Sequence, residues 1–190
     1  MPENEPLSTL VRLAENERSR IYGKYRGTVR DISDPEDLGR IKAEVPAVYM
    51  EGLSPWAMPC LAFGGASHGL TLLPEVGDGV WIEFEGGDIA RPIWSGCFWT
   101  SEQRPQPKGE KIRLLATSAG HQLILDEDAD EMKLVHPGGA ELKLGSSEIV
   151  IALGQQEIKI TKSEISFNNG MVKVTTSGAS LVNDAFKVGG

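Results

Sequence analysis

Few side chains in this sequence could do chemistry, and their spacing is poor for it. The three histidines, His68, His121 and His136, lack the short spacing that delivers zinc ligands to one site. Asp126-Glu127-Asp128-Ala129-Asp130-Glu131 pairs carboxylates as an acid/base site would. The run stands between two apolar alternations, so it reads as a solvated turn, with weak calcium binding as its only other use. There is no Gly-rich phosphate loop, no Ser–His–Asp order and no dinucleotide fingerprint. Cys60 and Cys97 cannot build a disulfide framework and read as buried thiols made in a reducing compartment. The reading therefore predicts no catalytic residue, no metal and no cofactor.

What remains is a set of elements with no chemistry to position. The chain has 190 residues, 22 Gly, 11 Pro and a net charge of −8, with 40% hydrophobic and 24% charged residues. That is ordinary soluble composition for one or two domains. The longest apolar runs, 70–73 and 149–153, are far short of the roughly 20 residues that span a bilayer. The start, Met1-Pro2-Glu3-Asn4-Glu5, has neither a basic nor an apolar signal region, so no secretory signal is read and synthesis in the cytoplasm is expected.

Three segments follow different periods. Residues 1–22 form a helical arm: Leu7, Leu10, Val11, Ala14 and Ile21 share one face, Pro6 suits a first turn and Gly23 ends the pattern. The helix either packs on its own domain or docks a partner. Residues 23–99 switch to period two. Ile41, Ala43 and Val45 alternate on one face, as do Val80, Ile82 and Phe84, and strands are also expected over 24–30, 57–62 and 91–96. Glu85-Gly86-Gly87-Asp88 signals a tight turn. Five short strands suit a closed OB-type barrel, and patterning alone fits an SH3-like barrel equally well. All four tryptophans, Trp56, Trp81, Trp94 and Trp99, lie here and read as core or subunit interface.

Residues 100–120 are polar and Pro-rich, and read as an extended linker. Residues 121–190 carry the strongest pattern. The pairs Leu123/Leu125, Met132/Leu134, Leu142/Leu144, Ile149/Ile151, Ile158/Ile160, Ile165/Phe167 and Val172/Val174 recur every seven to nine residues, with a weaker tail at Leu181 and Phe186/Val188. Lys133, Lys143, Val150, Lys159, Ser166 and Lys173 take the outward position between them, with Ile124 as the exception. One chain would leave a wide apolar face uncovered. Three chains wound into a triangular prism would bury it, pairing strand edges between chains and using the Gly/Ser/Asn/Asp turns as corners. Such a prism would run roughly 40 Å.

The central segment resembles the OB domain of contractile-tail spike proteins, the phage baseplate assembly protein V family, and the corresponding part of VgrG proteins. The matching stretches are Tyr22-Gly23-Lys24-Tyr25-Arg26-Gly27-Thr28-Val29, Asp34-Pro35-Glu36-Asp37-Leu38-Gly39-Arg40-Ile41, Ser54-Pro55-Trp56-Ala57, Leu73-Pro74-Glu75-Val76-Gly77-Asp78 and Phe84-Glu85-Gly86-Gly87-Asp88, ending in Arg91-Pro92-Ile93. The barrel motif also includes Pro46. Gly39 and Gly77 are expected to allow tight turns, Pro74 and Pro92 to fix strand entries, Ser54-Pro55-Trp56 to form a rigid corner, and Asp78 to accept backbone hydrogen bonds in a turn.

The resemblance implies an all-β protein: an N-terminal helix, a five-stranded OB barrel and a trimeric, intertwined triple-stranded β-helix whose core is the seven apolar pairs. It implies a structural spike, not an enzyme, sitting below a tail hub in a phage tail or related contractile injection particle and driven into a target envelope. Because the chain begins about 20 residues before the barrel, the hub is expected to be a separate protein, contacted by Leu7, Leu10, Val11 and Ala14. Because it stops at Val188-Gly189-Gly190, a blunt needle capped there by a PAAR-type tip protein is expected. The other class considered, a nucleic-acid-binding OB protein, needs a basic barrel face. Residues 1–110 instead carry 11 basic and 17 acidic side chains, so no nucleic-acid partner is expected.

Overall fold

In the computed structural model, residues 5–182 and 185–189 are described. The chain divides into two compact units, Met1–Gln103 and Arg104–Gly190.

In the first unit, helix α1 (Glu5–Arg18) has every described side chain exposed. Past the helix, Ile21 leaves the helical face on which its spacing would put it. Its N–H donates to the Gly87 carbonyl at 3.0 Å and its side chain packs on the barrel core. The barrel follows as β1 (Tyr25–Asp31), β2 (Lys42–Glu44), α2 (Pro46–Tyr49), β3 (Met58–Pro59), β4 (Gly64–Gly65), β5 (His68–Gly69), β6 (Gly79–Phe84) and β7 (Pro92–Phe98). Five of these pair in the order β2-β1-β6-β7-β3, and an Ile41–Ala57 bridge joins the two ends. The sheet closes for the reason the alternation gives. Ile41, Ala43, Val45, Val80, Ile82 and Phe84 all turn inward with Val29, Ala57 and Trp94 into one buried cluster. The third expected strand shrinks to two residues, Met58 and Pro59, which pair in parallel with Ile93 and Trp94. The chain beyond it runs through the small β4–β5 hairpin.

Of the four tryptophans, only Trp94 is core, at 5% exposure; Trp99 is exposed, and Trp56 and Trp81 are half-buried beneath cations. The expectation of buried thiols is also corrected: Cys60 and Cys97 are both exposed.

The second unit is a meander of ten antiparallel strands: β8 (Ile112–Ala116), β9 (Gln122–Asp126), β10 (Glu131–Val135), β11 (Ala140–Gly145), β12 (Glu148–Leu153), β13 (Gln156–Thr161), β14 (Glu164–Phe167), β15 (Val172–Thr175), β16 (Gly178–Leu181) and β17 (Phe186–Val188). Two expectations change here. The stretch 100–120 is not linker throughout, because β8 pairs along β9 from Ile112–Asp126 to Ala116–Gln122. The turns are not prism corners either: each reverses the chain so that the next strand pairs beside the last. Strands β9 to β16 thus spend both edges on their own chain, leaving outer edges only at β8 and β17.

Candidate functional site

The register of the meander builds its largest surface. Leu123 pairs with Leu134, Leu134 with Leu142, Leu142 with Ile151, Ile151 with Ile158, Ile158 with Phe167, and Phe167 with Val172. A second column runs Leu125, Met132, Leu144, Ile149, Ile160, Ile165, Val174. All fourteen residues of the seven sequence pairs therefore lie on one face, because positions two apart on a strand share a side. Leu115 at one end and Leu181, Phe186 at the other extend the first column. In the single chain this face is open: Met132, Leu134, Ile151 and Val174 are each 44–49% exposed. A groove of about 640 Å³ crosses it, lined by Leu115, Leu123, Leu134, Leu142, Ile151 and Leu153.

The reverse face is polar and internally paired. Lys133, Lys143, Lys159, Ser166 and Lys173 form its middle column with Val150. Glu131 is within 2.8 Å of Lys133 and 3.4 Å of Lys143; Glu148 is within 2.9 Å of Lys143 and 3.5 Å of Lys159. The Lys133 ammonium, followed by that of Lys143, holds the Glu131 carboxyl below its ordinary range. Lys143 does the same for Glu148 and is itself raised by it. A face that neutralises its own charges in cross-strand pairs is built for water, and the opposite face is not.

Two histidines of the second unit that sequence spacing separates are brought together. His121 follows the turn after β8 and His136 ends β10; their rings meet edge-on at 4.9 Å, on the apolar side. The hairpin register could have revealed this, since Gln122–Val135 is a paired position and 121 and 136 are the next. His136 Nδ1 accepts from the Gly138 N–H at 2.9 Å, so its function is to hold a turn. Among the described residues no three metal-type ligands gather. The acidic run 126–131 is a turn between β9 and β10, with Asp126 Oδ1 accepting from the Asp128 and Ala129 N–H groups and Lys111 on Asp128.

The barrel motif residues act as fasteners. Arg40 grips Asp34 through Nε at 2.9 Å and Nη2 at 2.5 Å, while the Glu36, Leu38 and Arg40 N–H groups also donate to that carboxylate. The guanidinium holds the Asp34 carboxyl well below the usual range, against the opposing effect of burial, and is itself raised. Arg40 and Lys42 stand over the Trp56 ring, 5.8 and 4.7 Å from its centre. Gly39 at φ +74° accepts from the Trp94 indole through its carbonyl. Ser54, 3% exposed, accepts from the Ala43 N–H at 3.0 Å where the ladder has no strand partner, while Pro55 is exposed. Asp78 Oδ2 accepts from the Glu75 N–H, and Gly77 at φ +101° completes that turn beside the buried Pro74. Pro46 opens α2, Pro92 opens β7 in full burial, and Arg91 stays outside with Glu85 and Asp88. Every buried side-chain polar atom among the described residues has a hydrogen-bond partner.

Residues 25–99 match the type VI secretion system/phage-baseplate injector OB domain family. The match covers 75 of the 190 residues, those of the barrel. It gives the chain a structural role associated with a baseplate, and the family is not one of enzymes. Comparison with curated proteins finds no match.

The remaining predicted contacts sit at the two ends. Leu10 and Val11, 62% and 49% exposed, and Ala14 lie on α1; the Leu7 side chain is outside the described residues. Val188 is 70% exposed on β17, Gly189 follows it, and Gly190 lies outside the described residues. No helix among the described residues is long and apolar enough to cross a membrane.

Proposed function

We propose that the chain is the central spike of a contractile-tail baseplate, in a phage tail or a related injection particle. Three copies associate through the apolar face of the second unit to make a needle driven into the target envelope. The two unbroken apolar columns carry this reading. Burying a Val, Leu, Ile, Phe or Met is worth about 1.5–3 kcal/mol, and the face carries fourteen such positions that the chain alone leaves partly or largely exposed. The self-paired polar face is its counterpart, turned outward. Because the strands already pair within one chain, association in this conformation runs through side chains, with sheets packing roughly 10 Å apart. The role is mechanical and calls on no catalytic residue or cofactor.

In this reading the exposed face of α1, with Leu10 and Val11, docks a separate hub protein. The β17 end, with Val188 and Gly189, meets a PAAR-type tip protein, offering the outer strand edge as a template. Nucleic acid is not a partner: residues 25–99 hold 5 basic and 11 acidic side chains. The test is the mass of the full chain in solution by light scattering, before and after heating in SDS. A species of three times 20.6 kDa that survives SDS supports the needle, and a monomer overturns it.

A further inference from the structure

The barrel carries a second uncovered surface with an unusual charge distribution. Residues 52–74 contain no Asp, Glu, Lys or Arg, although the rest of the 25–99 segment holds 16 of them with a net charge of −6. This stretch leaves the barrel after the Glu44–Leu53 bridge, passes β3 and forms the β4–β5 hairpin. Its large apolar side chains point outward: Phe63 is 58% exposed, Leu72 51%, and Met58, Leu61, Leu70 and Leu73 are each 43–46%. A groove of about 720 Å³ runs beside the hairpin, walled by Pro59, Leu61, His68 and Thr71. Nothing in the barrel's own closure uses these side chains, since its core is complete without them.

We infer that this charge-free surface is where the barrels of neighbouring copies touch. The inference rests on the trimer proposed above. An acidic domain repels its own copies wherever carboxylates would face one another. Only a patch without charge lets like meet like, and 52–74 is the long charge-free stretch of this domain. A needle joining three chains would hold their barrels at an effective concentration in the millimolar range, so a contact too weak to form between free barrels closes once they are tethered. The exposed rings and leucines of the three copies then converge about a shared three-fold axis, where the same patch of every copy meets the other two. The cations that reach this stretch, Arg40 and Lys42, stand over Trp56; around Phe63 and Leu72 the stretch brings no charge of its own, so a charged hub or tip would make a poorer occupant there.

Cys60, exposed at the base of the surface, is the natural reporter. The full chain carrying Cys97→Ser is compared with the same chain carrying Phe63→Asp or Leu72→Asp, reading mass by light scattering and the labelling rate of Cys60 with a thiol reagent. All three are expected to be trimers. Cys60 is expected to label about tenfold faster in the Asp variants, because labelling follows thiol exposure. A trimer in which Cys60 labels at the same fast rate with and without the Asp substitutions overturns this inference and leaves the needle intact. A monomeric parent chain overturns the needle reading and this one with it. Two substitutions at separate exposed positions guard against a local folding defect in either.

Discussion

The barrel and the meander are made from the same alternating strands, yet they treat their apolar residues in opposite ways. In the barrel, Val80, Ile82 and Val29 are fully buried by a sheet that bends back on itself through the Ile41–Ala57 bridge. In the meander, Leu134 and Ile151 hold the same kind of position and remain nearly half exposed. The difference lies in closure. Five strands with two proline-marked entries curl into a barrel that needs no partner, whereas ten strands of antiparallel hairpins make a face that a single chain has nothing to cover. The barrel encloses its core within one copy, and the meander leaves its apolar face open.

The sharpest break in this comparison is a charge in the middle of the open face. Ile151→Asp is expected to convert the SDS-resistant trimer to monomers, measured by light scattering. Tryptophan fluorescence should hardly change, because all four tryptophans belong to the barrel. The reverse cut is Ile82→Ala, which should lower the stability of the barrel by about 2–5 kcal/mol while leaving the trimer mass unchanged. Denaturant unfolding followed by tryptophan fluorescence reads it.

Ser54→Ala is smaller: it strands the buried Ala43 N–H and should cost about 1–3 kcal/mol by the same measurement.

The smallest effect is that of acid. Asp34 in the barrel and Glu131 and Glu148 in the meander all have pKa values depressed in the fold, chiefly by Arg40, Lys133 and Lys143 respectively. Their stabilisation is present above the ordinary carboxylate range, near pH 4, and is lost as pH falls below it. Arg40→Gln should flatten the acid limb of barrel unfolding and leave that of the meander unchanged. An unaltered acid limb would count against the role given to the Asp34–Arg40 pair.

Much of the meander was legible because its period is two and five of the seven apolar pairs have a polar residue between. The register only had to place Leu123 opposite Leu134 for all fourteen positions to share a face. Strand β8 was not legible, since Ile112-Arg113-Leu114-Leu115-Ala116 breaks the alternation and follows a Pro-rich run. Trp56 and Trp81 are half-buried and not core, because Arg40, Lys42 and Arg26 stand over their rings, which residue type and spacing do not reveal. The His121–His136 contact was missed because residues distant in sequence meet only through hairpin register.

By itself the sequence determined which side chains share a face and where the chain must turn. Periodicity and residue type are local properties, and they set those outcomes whatever the chain packs against. Only the tertiary structure decided which edges each strand spends on its own neighbours. Backbone pairing is settled by which strands come adjacent, so it took the fold to close the barrel on itself and to leave the meander with paired edges and an open apolar face.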